Sequence, residues 1–410
     1  MSARPDAGRP TVLVLASTYP RWRGDPEPGF VHELSRRLTS HFRVIVLGPH
    51  AKGAPAREVF DGVEVRRYRY APRRFETLVN DGGIVTNLRL HRWKMMLVPG
   101  FVLAQAWMAW RLIRRENVDV IHAHWLMPQG LLAASLQLLP GRKVPFVVTS
   151  HGADLYALRG RVLNSLKRFV SSKASAITVV SRAMHEEFER LGVDAGRVEV
   201  LSMGVDLSNR FTPTTTARDQ NEILFVGRLV EKKGLHVLLE AMPRIVEKRP
   251  GTRLSIAGFG PEEARLRAQA ERLGVGDAVS FLGPIAQDAL PSLYRRAGVF
   301  VAPFVQSANG DREGLGLVTI EAAACGCPVV VGDLPATRDV LGEFADAATC
   351  VPPGDYAALA DAILFNLDSP EEARSKALRL REYLAVRFDW EHIGERYAGI
   401  LLRTKSCDPL

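Results

Sequence analysis

The sequence predicts an α/β protein with two parallel-sheet domains in tandem, and three observations carry that prediction. Apolar runs of roughly four to eight residues alternate with helix-period stretches along the 410-residue chain. Those runs are continuous in Val, Ile and Leu, as strands must be when helices cover both faces of their sheet. The alternation breaks once, at the Thr/Pro-rich stretch "SNRFTPTTTARDQNE" (208–222), and then restarts.

The elements follow in order. The polar opening "MSARPDAGRP" is no secretory signal, and "TVLVLAS" after it reads as the first strand. "PGFVHELSRRLTSH" has a helical period, and "RVIVLGP" is the next strand. "VDVIHAH", "PFVVTSHG", "AITVVS" and "VEVLSMG" come later, each but the last leading into a helix. Beyond the break lie "ILFVG", "RLSIAG", "VSFLG", "VFVAPF", "PVVVG" and "ATCVPP", and "FDWEHIGERYAGILLR" is one more amphipathic helix. The expected domains are therefore 1–207, a linker at 208–222, a second domain at 223–385, and a C-terminal helix at 386–410 that packs back on the first. Both domains read as Rossmann-like, so ligands are expected at the carboxyl ends of the strands, in a cleft where the two domains face each other.

Composition narrows the classes. Apolar content of 47% and charged content of 24% are those of an ordinary globular protein. The longest apolar run, "MMLVPGFVLAQAWMAW" (95–110), has 16 residues and contains Pro99 and Gly100, short of the roughly 20 that span a bilayer. A cytoplasmic location is expected. The cysteines Cys325, Cys327, Cys350 and Cys407 follow no metal spacing and read as core thiols in a reducing compartment. The net charge is +9, with the excess of cations in the first half of the chain, which suits an anionic partner such as nucleic acid or a membrane surface.

Two motifs of the second domain carry chemistry. In "ILFVGRLVEKKGLHVLLEA" a strand runs into Arg228, and Lys233 precedes Gly234 and a helix. Cations beside a helix N-terminus suit a diphosphate, because fixed positive charge and free N–H groups converge there. In "EGLGLVTIEAAACG", a helix starting near Leu315 leaves Glu313 just before it and puts Glu321 about 9 Å along its axis from that start, at about 1.5 Å per residue. Gly314 and Gly316 let a ligand reach the first-turn amides. Carboxylates accept hydroxyls well and bind phosphates poorly. Two of them around a phosphate-friendly turn therefore suit a nucleotide sugar.

These paired motifs, "VGRLVEKKG" and then "EGLGLVTIEA", resemble the signature of family-4 retaining glycosyltransferases of GT-B fold. The resemblance implies that Arg228 and Lys233 hold the donor diphosphate, that Glu313 faces the transferred hexose, and that Glu321 binds the ribose. Backbone amides of Gly314, Leu315, Gly316 and Leu317 would assist. "VVTSHGADLY" is similar to the family's H-G-x-D, which implies that His151 meets the donor sugar and that Asp154 lies toward the acceptor. His124, at the end of "VIHAH", is placed in the acceptor pocket, while His122 reads as packing. The opening loop "TYPRWRGDPEPGF" ends at Gly29, where many family members have Gly-Gly and this chain has Pro28-Gly29.

The reaction so implied moves a sugar from a nucleotide diphosphate sugar to a hydroxyl acceptor with retention, needing no cofactor. No strict D-x-D occurs. The nearest forms are Asp25-Pro-Glu27, Asp311-Arg-Glu313 and Asp389-Trp-Glu391, so Arg228, Lys233 and a helix N-terminus are expected to do the work of a metal. The acceptor stays open among polysaccharide, lipid-linked glycan and small molecule. A GT-B epimerase or phosphorylase is the competing enzyme. A basic nucleic-acid-binding protein is the competing non-enzyme, opposed by the lack of an aromatic platform among the first-half arginines. A NAD-dependent oxidoreductase is opposed by the lack of G-x-G-x-x-G in "GFGPEE". Residues 66–115 mix cations with Trp93, Trp107 and Trp110. That suits peripheral contact with an anionic membrane, unless the helix buries Met95, Leu97, Phe101 and Trp107 in the first domain.

Overall fold

A computed structural model describes residues 8–25, 29–79, 83–308, 310–346 and 349–406. The chain divides into two compact units. Residues 1–180, 184–202 and 391–410 form the first, and 181–183 with 203–390 the second. The sequence pattern had set its boundaries at 207/208 and 385/386.

The first unit is an eight-stranded sheet of β1 (Thr11–Leu15), β2 (Arg43–Pro49), β3 (Arg57–Phe60), β4 (Val63–Tyr68), β5 (Val120–His124), β6 (Phe146–Ser150), β7 (Ala176–Val179) and β8 (Val198–Val200). Its order is β3-β4-β2-β1-β5-β6-β7-β8. The continuous apolar runs became β1, β5 and β6, buried along their whole length. Every pairing is parallel except the β3–β4 hairpin, which the sequence reading did not anticipate. Its signal was there, because Asp61-Gly62 turns with φ 48° and 82°, the left-handed pair that tight hairpins favour. The order turns around β1, which pairs with β2 on one side and β5 on the other. By the rule for open α/β sheets, the loops after β1 and β5 are where a ligand belongs.

The helix Leu97–Arg115 lies on this sheet through Phe101, Gln105, Ala109 and Leu112, spaced to share one face. The Gln105 amide donates to the carbonyls of Ala16 and Leu47, at 3.3 and 3.5 Å. The opposite face is bare: Trp107 is 55% exposed, Met96 is 82% exposed, and Trp93, Met95 and Leu103 are exposed as well. The alternative of a buried helix thus holds at Phe101 and fails at Met95 and Trp107. With the preceding 3-10 turn, the stretch Arg92–Arg115 is long and apolar enough to cross a membrane by length and composition, although the 16-residue run alone was not. Its seat on β2 and β4 makes it a surface helix of this unit. The C-terminal helix Trp390–Ser406 also contributes to this unit from Glu391 onward. Tyr397 is fully buried there and its hydroxyl donates to the Leu201 carbonyl at 2.9 Å.

The second unit holds β9 (Asp219–Val226), β10 (Arg253–Ala257), β11 (Val279–Gly283), β12 (Ala297–Ala302), β13 (Val329–Gly332) and β14 (Cys350–Val351). They form one parallel sheet in the order β11-β10-β9-β12-β13-β14. β9 begins at Asp219, inside the stretch read as linker. The reason is Glu222, a charged residue 1% exposed within a strand. Its carboxylate accepts from Ser255 at 2.7 Å and from both arms of the Arg296 guanidinium at 2.6 Å, so its charge is paired where the sequence suggested solvent. Cys325, Cys327 and Cys350 are buried free thiols, as expected, while Cys407 lies outside the described residues. Here the order turns at β9, which pairs with β10 and β12, and the loops after β9 and β12 carry the motif residues.

Candidate active site

In the second unit, backbone geometry creates the site. After β9 the chain passes Gly227 and the half-buried Arg228, then a 3-10 turn Glu231–Lys233, and enters the helix Leu235–Lys248 through Gly234. Gly234 has φ 71°, and a Cβ there would stand 1.7 Å from the Pro303 carbonyl oxygen. Only glycine permits that approach, and it draws the β9 loop onto the β12 loop. Further bonds tie the two loops together, from Val305 N–H to the Lys232 carbonyl and from Ala308 N–H to the Glu231 carboxylate, both at 3.0 Å.

The approach brings Lys233 and Glu313 together, with Nζ 2.7 Å from Oε2. Nζ also lies 4.9 Å above the Phe304 ring, a favourable cation–π position. Lys232 reaches Asp311 at 3.3 Å. Burial alone would push the Glu313 carboxyl up. Lys233, Lys232 and the Gly314 N–H outweigh it and hold the carboxyl at about 2. Glu313 is therefore a carboxylate at any working pH, able to accept hydroxyls or face positive charge but not to give a proton.

The helix Leu317–Ala324 starts two residues later than the sequence suggested, because Gly316 takes φ 84° and caps it. The Gly314 N–H is engaged by Glu313, and the Leu315 side chain is buried. Gly316 and the amide of Leu317 stand at the helix start, where first-turn amides lack carbonyls one turn back. One turn further, Glu321 is buried. Its Oε2 accepts from the Tyr294 hydroxyl at 2.9 Å and its Oε1 from the Gln287 amide at 3.0 Å. Burial pushes its carboxyl up despite those bonds, so two glutamates of one motif have opposite shifts.

In the first unit, His124 closes β5 and His151 follows β6, one strand over. His124 is 1% exposed, with Nδ1 2.9 Å from Nε2 of the half-buried His151. Phe30 and Trp125 flank the His151 ring, with centroids at 4.8 and 5.1 Å. Burial brings His151 and His122 down to about 3 and His124 well below its ordinary value, so all three are neutral imidazoles. His122 packs as expected and bonds Thr149 at 2.8 Å. Asp154 is buried and committed to backbone, its Oδ2 accepting from Leu126 N–H at 2.7 Å and its Oδ1 from His151 and Gly152 N–H at 3.2 Å. That makes it a clamp on two strand-end loops. Gly29 caps the helix Phe30–Arg37, and among the described residues no atom lies within 4 Å of where a Cβ would stand.

Lys232, Phe304, Tyr294 and Gln287 escaped the sequence reading. Lys232 was visible in "EKKG" but indistinguishable from a solvated lysine, and the other three lie outside any motif.

Comparison with known proteins shows the family and the fold. Residues 30–209 match the model of Glycosyltransferase Family 4, and residues 209–383 match that of Glycosyl transferases group 1. A glycogen synthase of Mycobacterium tuberculosis is 29% identical over 395 residues, covering 92% of this chain and 90% of its own. A phosphatidyl-myo-inositol mannosyltransferase of the same species is 32% identical over 288 residues, covering 68% and 72%. The crystal structure of Anabaena HepE in complex with UDP-glucose superposes with a TM-score of 0.70 at 18% identity, covering 96% of this chain and 99% of its own.

Proposed function

The chain belongs to the family-4, group 1 glycosyltransferases of GT-B fold, and from that membership we propose that it is a retaining, metal-independent hexosyltransferase using a nucleoside diphosphate sugar. The observation that carries the reading is the Lys233–Glu313 pair at the carboxyl ends of β9 and β12, beside the Gly316-capped helix. Arg228 and Lys233 bind the diphosphate, and the Leu317 amide adds a donor. As the glycosidic bond breaks, negative charge grows on the leaving phosphate and positive charge on the sugar ring. Lys233 and Arg228 meet the first, and the Glu313 carboxylate meets the second. The leaving phosphate oxygen takes the proton of the acceptor hydroxyl, which attacks from the same face, so configuration is retained. Glu321 keeps lone pairs for the ribose hydroxyls beyond those given to Tyr294 and Gln287. His151 contacts the transferred sugar.

Metal independence is supported by the lysines already at Asp311 and Glu313, where the chain comes nearest to a metal-holding carboxylate pair in this loop. The bare aromatic face at Trp93, Met96 and Trp107, bordered by Arg92 and Arg111, suits peripheral contact with an anionic membrane on its cytoplasmic side and a lipid-linked acceptor.

The test is a thermal-shift screen of nucleoside diphosphates, then transfer assays with sugar variants of the best one. Lys233→Ala and Arg228→Ala should each lower transfer about a hundredfold, roughly 3 kcal/mol of transition-state stabilisation. Near-normal turnover in both would remove the assignment.

A further inference from the structure

The His124–His151 pair has a geometry that side-by-side burial does not require. The rings are nearly coplanar, 10° apart, with centroids separated by 5.2 Å. That separation is the 2.9 Å Nδ1···Nε2 distance plus the distance from each ring centre to its own nitrogen. The rings therefore meet edge to edge, along the line of an N–H···N hydrogen bond, and do not stack face to face.

Two neutral imidazoles in that arrangement must place one proton on the line. Two bare nitrogens at this distance would oppose their lone pairs, and two N–H groups would collide. The tautomer of each ring thus fixes that of the other. His151 has only two ring nitrogens, so once Nε2 is engaged by His124 its Nδ1 alone is left for a ligand. The surroundings hold the same frame from the backbone side. Asp154 grips the His151 and Leu126 N–H groups, and the Thr149 carbonyl takes the N–H of Trp125 at 2.7 Å. Trp125 sits at φ 74°, a left-handed conformation uncommon outside glycine, so the packing around it dictates its backbone. His124 has no open surface of its own, which removes it from the acceptor pocket where sequence reasoning put it.

We propose that His124 is a positioning residue, whose bond to His151 locks that ring in one rotamer and one tautomer and presents Nδ1 to the substrate. The role in turnover rests on the reading above that His151 touches the transferred sugar. The tautomer lock itself does not.

The test separates the two. In wild-type protein with ¹⁵N-labelled histidine, a coupling across the hydrogen bond should connect His124 Nδ1 to His151 Nε2, and its absence overturns the lock. His124→Phe keeps the ring and removes its nitrogens. It should leave His151 with mixed tautomers and lower kcat at least about tenfold, while KM for the donor changes less than about threefold. His124→Asn carries a polar atom where Nδ1 stood and should restore kcat to within about threefold of wild type. A single unchanged His151 tautomer with unchanged kcat in His124→Phe refutes the proposal. Mixed tautomers with unchanged kcat keep the lock and refute the part given to His151. Should the Phe variant fail to fold, the wild-type coupling and the Asn variant still decide.

Discussion

Replacing Glu313 by Gln removes one charge from the Lys233 pair and keeps the shape of the side chain. Holding the carboxyl at about 2 against an ordinary 4.5 is worth about 3 kcal/mol, at about 1.4 kcal/mol per pH unit. Both side chains are largely buried, at 15% and 14% exposure, so solvent screens little of this. Because folding favours the ionised form, the stabilisation is complete above the unfolded chain's carboxyl pKa and is lost as pH falls from about 4.5 toward 2. About 2 kcal/mol of it should be gone by pH 3. Glu313→Gln has no such term, while every other carboxylate titrates alike in both proteins. Urea unfolding at pH 7 and pH 3 should therefore show wild type losing about 2 kcal/mol more than the variant. At pH 7 the variant should be less stable by about 3 kcal/mol, because Lys233 loses its partner, and transfer should fall about a hundredfold. Parallel losses of stability between the two pH values would refute the electrostatic account of the pair.

Two further expectations concern the scaffold and the surface. Gly234→Ala should destabilise the second unit well beyond the about 1–2 kcal/mol of a left-handed alanine, because the new Cβ meets the Pro303 carbonyl. Urea unfolding measures it, and a change below about 1 kcal/mol would show that the loops are not held together there. Cosedimentation with vesicles should rise with anionic lipid, fall with salt and weaken in Trp107→Ser, whereas absence of binding to anionic vesicles at low salt would leave the exposed face without a membrane role.

Periodicity made the fold legible, because strands covered on both faces must be apolar throughout, and β1, β2, β5 and β9 through β13 stand where those runs stand. It failed where polarity is paired inside the protein. Glu222 disguised the start of β9 as linker, and the charged strands β3 and β4 lie where only the Asp61-Gly62 turn signalled a hairpin. The same holds for the site. Arg228, Lys233, Glu313 and Glu321 were readable because motif spacing fixes them to strand ends and one helix. What Glu321 is paired with was not, since Tyr294 and Gln287 reach it through tertiary packing, as Lys232 reaches Asp311. His124 and Asp154 show the limit most clearly. His124 ends a strand and Asp154 follows the end of another by four residues, where the sequence pattern puts ligand-facing groups, and both are buried, spent on holding His151 and its loop.

The most direct test of the account is the stereochemistry of a single transfer in the presence of EDTA. Given an α-configured nucleoside diphosphate sugar that the screen identifies, proton NMR of the first-formed product should show the α anomer at undiminished rate, since on the proposed mechanism Lys233 and Arg228 serve the leaving diphosphate. A β product, or turnover that chelation abolishes and Mg²⁺ or Mn²⁺ restores, would contradict it.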